Sequence, residues 1–180
     1  MDNLSMTSPP ATDAPWQDPL DLLQAAGGLP LESFVTFRVN QLSAAFERQW
    51  SRFMREHAGV SLSEWRILAM LQDGPSTSAR VVEGTGMNKA LLSRSAHQLD
   101  SQGLVHICAT PGDARSITLD LTPAGRKLLS RVRPLAIERQ TQFLSVLTAG
   151  ERHTLYAALD KLRQAAVDWE GTSGGDGIGA

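Results

Sequence analysis

The stretch that most constrains the fold runs from Thr77 to Thr122. At its centre, the sequence predicts a helix that begins after Asn88. Because a helix turns about 100° per residue, one face collects short polar and cationic residues while the opposite face collects residues suited to burial. The first face holds Ala90, Ser93, Arg94, His97 and Ser101, and the second holds Leu92, Ser95, Ala96 and Leu99. We expect the second face to be buried and the first to face a partner.

A shorter helix is predicted upstream of this one. Thr77 can cap a helix that runs from Ser78 to about Gly84, and the segment Gly84–Thr85–Gly86 breaks it before Asn88 caps the next helix. Two helices joined in this way indicate a helix-turn-helix.

A β-hairpin is predicted downstream. Gly103 ends the second helix, and apolar residues then alternate with polar ones over 105–109 and again over 116–121. The segment between them, TPGDA, is typical of a hairpin with a five-residue tip. A helix-turn-helix followed at once by a hairpin is a winged helix, so the predicted fold is mainly α with a small β-hairpin wing.

Length and composition exclude several classes of protein. The 180 residues, of which 42% are hydrophobic, are enough for one principal folded unit. No apolar run approaches the roughly 18 residues of a membrane helix, and the start lacks the basic and apolar regions of a signal peptide. A single cysteine agrees with a reducing compartment, so we expect a cytoplasmic protein.

The charges are unevenly distributed. Residues 1–37 hold five acids and no Lys or Arg, whereas residues 80–133 hold eight bases and four acids. The basic excess coincides with the predicted winged helix, which favours a polyanion as the partner.

No motif of an enzyme is present. A phosphate loop, a nucleotide fingerprint, a nucleophile elbow and paired catalytic carboxylates are all missing from the sequence. We therefore predict no catalytic residue and no cofactor. His106 and Cys108 share one face of a strand, but two ligands are too few for a zinc site. We predict no metal site and an inert thiol at Cys108, with a redox sensor as the alternative.

The N-terminal part is predicted to hold one short and two longer helices. Residues 1–30 form a flexible extension with a possible short helix over 19–26, opened by Asp18 and Pro19. Residues 31–57 have aromatic and aliphatic residues at helical spacing. Ser61 and Glu64 form a capping box ahead of a helix that ends at Gly74–Pro75.

Two further helices follow the hairpin. Thr122 caps and Pro123 opens a helix to about Val146, which Pro134 is expected to bend. Thr148 and Glu151 form a second capping box ahead of a helix over 149–168, and residues 169–180 read as a flexible tail. The long helices at both ends carry more apolar surface than one small lobe can bury. We therefore predict a symmetric homodimer held by 31–57 and 149–168, with a DNA-binding lobe over 62–133.

The span from about Leu31 to Val167 resembles the MarR family of winged helix-turn-helix transcriptional regulators. The matching stretches are SLSEWRILAML, MNKALLSRSAHQLDSQGLV, GDARSITLDLTPAGRKLL and LTAGERHTLYAALDKL. The resemblance implies a MarR-type domain over 31–168 and a dimer that binds a pseudo-palindromic double-stranded DNA operator. It also implies a repressor that a small aromatic or phenolic ligand releases.

Candidate DNA contacts follow from these patterns. On the polar helix face, Arg94 can read guanine bidentately and Ala90 can meet a thymine methyl group, with Ser93 and His97 beside them. Asn88 and Lys89 open that helix, and Thr77 and Ser78 open the one before it, where they could meet phosphates or act only as caps. The alternative for the whole face is a solvated polar surface.

The wing supplies a second pair of candidates. Asp113 and Arg115 resemble the Asp-x-Arg wing of the family, in which the arginine enters the minor groove and the aspartate orients it. The alternative is an ordinary surface ion pair.

Aromatic and cationic residues on the early helices could line an effector pocket. The candidates are Phe34, Arg38, Trp50, Trp65 and Arg66. The alternative is that the aromatic residues pack in the core and the dimer interface. The rival function is a winged-helix dimerisation or protein-interaction module without DNA readout.

Overall fold

The structure is a computed structural model that describes residues 16–25, 30–110 and 113–173. It divides into two compact units, Met1–Leu62 and Ser63–Ala180. The elements are α1 (Pro19–Ala25), a 3-10 helix (Leu31–Ser33), α2 (Val35–Ala58), α3 (Leu62–Met70), β1 (Ser76–Thr77), α4 (Ser78–Thr85), α5 (Lys89–Ser101), β2 (Val105–Thr110), β3 (Asp113–Leu121), α6 (Pro123–Ser145) and α7 (Ala149–Ser173).

In the first unit, α1 confirms the predicted short helix. The Asp18 carboxylate accepts a hydrogen bond from the Leu20 N–H at 2.9 Å, which satisfies a donor that the first turn leaves open. Of the flexible extension predicted for residues 1–30, residues 1–15 lie outside the described residues. The predicted helix stop at Gly27 and Gly28 also lies outside the described residues.

The predicted start of the first long helix at Leu31 was wrong. Residues Leu31–Ser33 form a 3-10 turn closed by a 3.0 Å bond from the Phe34 N–H to the Leu31 carbonyl, and Phe34 itself is extended. Helix α2 therefore begins at Val35 and ends at Ala58, and Gly59, whose φ of 70° is left-handed, follows it as the cap. Its buried residues, Phe53, Met54 and Ala58, all lie in its last turns.

In the second unit, α3 begins directly after Ser61, as expected. It ends at Met70, earlier than the predicted Gly74–Pro75, because bonds to the third residue back close the chain into turns beyond Leu71. Among the described residues, no helix combines the length and the apolar character needed to span a membrane.

The sheet has three antiparallel strands in the order β1-β3-β2. β2 and β3 form the predicted hairpin, with Val105 opposite Leu121 and Ile107 opposite Leu119. β1 pairs Thr77 with Thr118. The sequence could not show β1, because two residues are too few for a strand alternation to be visible.

The predicted five-residue tip of the hairpin was wrong. The strands continue to Thr110 and Asp113, so only residues 111 and 112 separate them. The register shifts between Ala109, which lies opposite Ile117, and Thr110, which lies opposite Asp113, so residues 114–116 of β3 fall within the irregularity. A bulge of this kind accommodates extra residues within a strand, and the loop is shorter as a result.

The capping predictions for α6 and α7 are confirmed. The Thr122 hydroxyl accepts from the Gly125 N–H at 3.0 Å. The Thr148 N–H donates to Glu151 at 2.7 Å, while the Thr148 hydroxyl accepts from the Glu151 N–H at 3.3 Å. The Thr148 hydroxyl also donates to the Glu151 carboxylate at 2.8 Å. The two hydrogen bonds that this carboxylate accepts from Thr148, first from the N–H and second from the hydroxyl, lower the pKa of the Glu151 carboxyl, so the stabilisation by the cap is lost as the pH falls through that lowered pKa.

Helix α7 continues to Ser173, beyond the predicted end at 168. A single glycine at 171 does not stop it, and the predicted flexible tail can begin only at 174, outside the described residues. Pro134 lies inside α6, and the bend there stays a prediction.

The core of the second unit joins α3, α4, α5, the sheet and α6. Its most deeply buried side chains are Ile67, Leu68, Leu71, Val81, Leu92, Leu99, Val105, Leu119 and Val132.

A tight junction links α5, β3 and α6. The Thr122 N–H donates to the Leu104 carbonyl at 3.1 Å, and the Thr122 hydroxyl donates to the Gly103 carbonyl at 2.7 Å. Gly125 lies so close to this turn that a Cβ at its position would meet the Leu104 oxygen at 2.0 Å and a Leu121 methyl group at 3.2 Å. The start of α6 is therefore held against the turn that follows α5, and only glycine fits at position 125.

We predict that Gly125→Ala destabilises the protein by about 1 to 3 kcal/mol, because the added methyl group must displace backbone. The measurement is urea unfolding followed by circular dichroism. Gly150→Ala is the matched control, because a Cβ at Gly150 meets nothing within 4 Å, and alanine in a helix is normally favoured over glycine. Equal stability of the two variants would contradict the close contact.

Candidate nucleic-acid interface

Helix α5 has the two faces that the sequence predicts. The Asn88 side chain caps it by accepting a hydrogen bond from the Leu91 N–H at 2.8 Å. Its inward residues are all buried, namely Leu92, Ser95, Ala96 and Leu99. Its outward residues are all exposed, namely Lys89, Ala90, Ser93, Arg94, His97 and Ser101. The cationic face is therefore available to a partner along the whole length of the helix.

The turn between α4 and α5 is set by Gly86. Its φ of 68° is left-handed, and its N–H donates to the Val82 carbonyl at 2.9 Å, which closes the end of α4. A Cβ at Gly84 would meet the Met70 methyl group at 2.6 Å, a flexible side chain that can move. Of the two glycines, only Gly86 has a left-handed backbone conformation that favours glycine.

Thr77 and Ser78 lie at the start of α4. The Thr77 hydroxyl accepts from the Arg80 N–H at 3.4 Å, and the Thr77 backbone also pairs with Thr118 in the sheet. Both side chains are half-buried. The structure confirms Thr77 as a cap, and a phosphate contact by either residue stays a prediction.

The wing is the hairpin formed by β2 and β3. The backbone of Asp113 and Arg115 belongs to β3, whereas their side chains lie outside the described residues. The structure therefore gives the position of the predicted Asp-x-Arg pair only by its backbone.

On β2, His106 and Cys108 are exposed and Cys108 is a free thiol. Over the described ranges, no group of three or more His, Cys, Asp or Glu residues could hold a metal.

An ion pair at the base of the wing was missed by the sequence analysis. Asp120, near the end of β3, accepts from the Arg126 guanidinium on α6 at 3.0 Å. Both side chains are substantially exposed, at 36% and 51%, so the pair contributes at most about 1 kcal/mol. The two residues are six positions apart across a corner of the chain, and neither helix nor strand periodicity joins such positions.

The candidate effector residues are spread over both units. Phe34, Arg38 and Trp50 belong to the first unit, where Arg38 donates to the Glu32 carbonyl at 2.9 Å and Trp50 packs edge-on against Phe53. Arg38 and Trp50 are about 18 Å apart along α2, so α2 alone does not bring them together. In the second unit, Trp65 is half-buried and Arg66 is exposed. A pocket formed by these residues stays a prediction.

Comparisons with known proteins match this geometry. The model of the MarR family matches residues 58–116, which hold α3 to α5 and most of the hairpin. The transcriptional repressor NicR of Pseudomonas putida is 28% identical over 124 residues, which are 67% of this chain and 78% of NicR. The chain is therefore similar to MarR-family transcriptional regulators, most directly over its helix-turn-helix and hairpin.

Two solved structures resemble the chain in fold. Sco3205 of Streptomyces coelicolor, solved in complex with DNA, has a TM-score of 0.68 at 19% identity and covers 75% of this chain and 91% of its own. BpsR of Bordetella bronchiseptica, whose DNA binding is regulated by 6-hydroxynicotinic acid, has a TM-score of 0.59 at 22% identity and covers 70% and 98%.

The predicted fold class is thereby confirmed. The chain is mainly helical with a small sheet and has the winged-helix fold of MarR regulators, and the relatives that it matches are transcriptional regulators rather than enzymes. In this winged helix, α5 is the second helix of the helix-turn-helix, and β2 and β3 form the wing.

We predict that two substitutions of Asn88 separate its observed cap from its predicted contact with DNA phosphate. Asn88→Ala loses the cap of α5 and costs about 0.5 to 2 kcal/mol of stability, whereas aspartate and serine cap about as well as asparagine. Asn88→Asp keeps the cap but places a negative charge near phosphates, so it weakens binding to sheared genomic DNA.

Asn88→Ser is the matched control, because it caps α5 without adding charge. The measurements are thermal unfolding and fluorescence anisotropy with labelled DNA. If Asn88→Asp bound DNA as tightly as Asn88→Ser, Asn88 would not lie near the phosphates.

Proposed function

We propose that the protein is a homodimeric repressor that binds a pseudo-palindromic DNA operator and is released by a small aromatic or phenolic ligand. The observation that carries this proposal is the split of α5, whose apolar face is buried while its cationic face is exposed beside the wing. The relative NicR is named a repressor, and Sco3205 was solved in complex with DNA. Its site of action is the cytoplasm, where a DNA operator is accessible.

In this proposal α5 lies in the major groove. Arg94 donates two hydrogen bonds to guanine and Ala90 contacts a thymine methyl group, with Ser93 and His97 on the same side. Lys89 and Asn88, at the first turn, contact phosphates. Contacts to phosphate fix the orientation of a protein on DNA, while contacts to base edges supply the sequence preference.

The start of α4 and the wing complete the proposed interface. Thr77 and Ser78 contact phosphate with the N–H groups of the first turn of α4. Arg115 enters the minor groove beyond the end of α5, where narrow grooves attract arginine, and Asp113 holds the guanidinium in place.

The dimer is proposed from the exposed apolar residues of two long helices, each considered by itself. On α2 they recur at four- and three-residue steps, at Val35, Val39, Leu42 and Phe46. On α7 they recur in the same way, at Leu155, Leu159 and Leu162. A stripe of this kind on a soluble protein is normally covered by a partner, and a second copy offers the same stripe.

The effector is proposed from the aromatic and cationic residues of each unit taken separately, namely Phe34, Arg38 and Trp50 in the first unit and Trp65 and Arg66 in the second. Phe34, Trp50 and Trp65 can stack on an aromatic ring, and Arg38 or Arg66 can hold an anionic group. BpsR, which shares the fold, responds to 6-hydroxynicotinic acid.

We predict that Arg94→Ala costs about 1 to 3 kcal/mol at the operator and relaxes the preference at one base pair per half-site. Lys89→Ala weakens binding to all sequences about equally, because it removes a phosphate contact. The measurement is a titration of each variant against an operator obtained by in vitro selection and against a scrambled duplex. Equal losses on both duplexes for both variants would remove Arg94 from base readout.

We predict that Leu159→Arg converts the dimer to a monomer, because it places a charge in the proposed apolar stripe of α7. Sedimentation velocity at micromolar concentration measures the change. Ala157→Arg is the matched control, since Ala157 is also exposed but lies on the opposite side of the helix from Leu159. A wild-type protein that sediments only as a monomer would remove the dimer from the proposal.

A further inference from the structure

A groove of about 810 Å³ runs along α6 in the second unit. Its apolar wall is formed by Leu121 at the end of β3 and by Leu129, Pro134 and Ile137 on α6. Because a helix rises about 1.5 Å per residue, Leu129 and Ile137 are about 12 Å apart along the axis of α6. The apolar wall is therefore long enough to accommodate about two turns of a second helix.

Two guanidinium groups also line the groove, those of Arg126 and Arg133. Arg126 is paired with Asp120, whereas the side chain of Arg133 is exposed and forms no ion pair with any residue that the structure describes. Glu138 lines the groove as well, but it follows Arg133 by five positions and so lies about 140° away around the helix. Arg133 is thus available to a carboxylate from outside the groove.

Helix α1 of the first unit has an exposed apolar face of similar length. Leu20 and Leu23 are 65% and 38% exposed, and their spacing of three residues places them on one face of the helix. The seven residues of α1 span about 10 Å. Its apolar face is therefore short enough to lie along the apolar wall of the groove.

Asp21 gives α1 a charge that complements Arg133. It follows Leu20 directly, so it lies about 100° around the helix from that residue, at the border of the apolar face. Its carboxylate is exposed and has no cationic partner within the described ranges. The Asp18 carboxylate, by contrast, already accepts from the Leu20 N–H. An acid beside the apolar face of α1 thus matches a base beside the apolar wall of the groove.

We propose that α1 of a second copy docks in the groove along α6, with Leu20 and Leu23 against the apolar wall and Asp21 at Arg133. An amphipathic helix in an apolar groove is a recurrent mode of recognition between proteins. The second copy is the occupant because α1 closely precedes the apolar stripe of α2, which begins at Val35. This inference rests on the proposed homodimer, in which symmetry makes the contact twice.

The charge contact is tested on the full-length protein by sedimentation velocity over a dilution series, which measures the dissociation constant of the dimer. Asp21→Lys and Arg133→Glu each raise this constant about tenfold, because each places like charges opposite one another at both symmetric contacts. The double variant restores the wild-type constant. Lys127→Glu is the matched control and leaves the constant unchanged, because Lys127 is an exposed base of α6 that does not line the groove.

The apolar contact is tested in the same assay. Leu20→Asn raises the dissociation constant by about tenfold or more, because a leucine side chain no longer becomes buried at each of the two contacts. Since Leu20 is largely exposed within its own unit, the substitution leaves the circular dichroism spectrum unchanged. A dimer as tight as the wild type would overturn the docking of the apolar face.

A chemical crosslink identifies the copy that supplies α1. In a Cys108→Ser background, which removes the single cysteine, chains with Asp21→Cys and longer-tagged chains with Arg133→Cys are co-expressed and treated with a bismaleimide. A link between one chain of each length forms only if α1 of one copy lies at the groove of the other, and this product is expected. In a chain that carries both substitutions, an internal link instead of a linked dimer would mean that α1 covers the groove of its own chain.

Failure of this proposal is distinguishable from failure of the proposed dimer, and no measurement depends on DNA binding. If the wild type sediments as a dimer but the charge reversals do not weaken it, or no mixed link forms, the docking is overturned and the dimer stands. An internal link overturns the docking likewise. Charge reversals that weaken the dimer without mutual rescue overturn the pairing of Asp21 with Arg133. A wild type that sediments only as a monomer overturns the dimer and the docking together.

Discussion

The junction around Thr122 sets the positions of the DNA-reading elements. Thr122 donates through its N–H and its hydroxyl to two carbonyls of the turn that follows α5, and the same hydroxyl caps α6 by accepting from Gly125. One residue thereby joins the turn after α5, the end of β3 and the start of the long helix α6. Gly125 makes the contact possible, since any side chain there would overlap the Leu104 carbonyl.

The two faces of α5, which this junction holds in place, differ in burial and composition. The inward face of α5 and alternate residues of β2 and β3 are buried together, which fixes the helix relative to the hairpin. The outward face of α5 carries no share of the core and is composed of small, polar and cationic residues. The inward face of α5 thus contributes to the core, whereas the outward face is the one proposed to contact DNA. Arg94 lies on the outward face, so it can be replaced without loss of packing.

Periodic features were predictable from the sequence. The faces of α5, the caps at Thr77, Asn88, Thr122 and Thr148, and the pairing of β2 with β3 all follow from local spacing. Features that depend on contacts between residues far apart in the sequence were not predictable. The two-residue strand β1, the clearance at Gly125, the ion pair of Asp120 with Arg126 and the groove along α6 are set by how elements meet. The residue pattern within a single helix or strand cannot predict such contacts between elements.

The central claim is that α5 and the wing bind DNA through phosphate contacts as well as base edges. Its most direct test is the affinity of the full-length protein for duplex DNA across a series of salt concentrations. Phosphate contacts release counterions, so the logarithm of the association constant should fall steeply and linearly with the logarithm of salt, and Arg115→Ala should reduce the slope by about one. Absence of binding, or an affinity that does not change with salt, would contradict the account and indicate a winged helix that serves protein interaction alone.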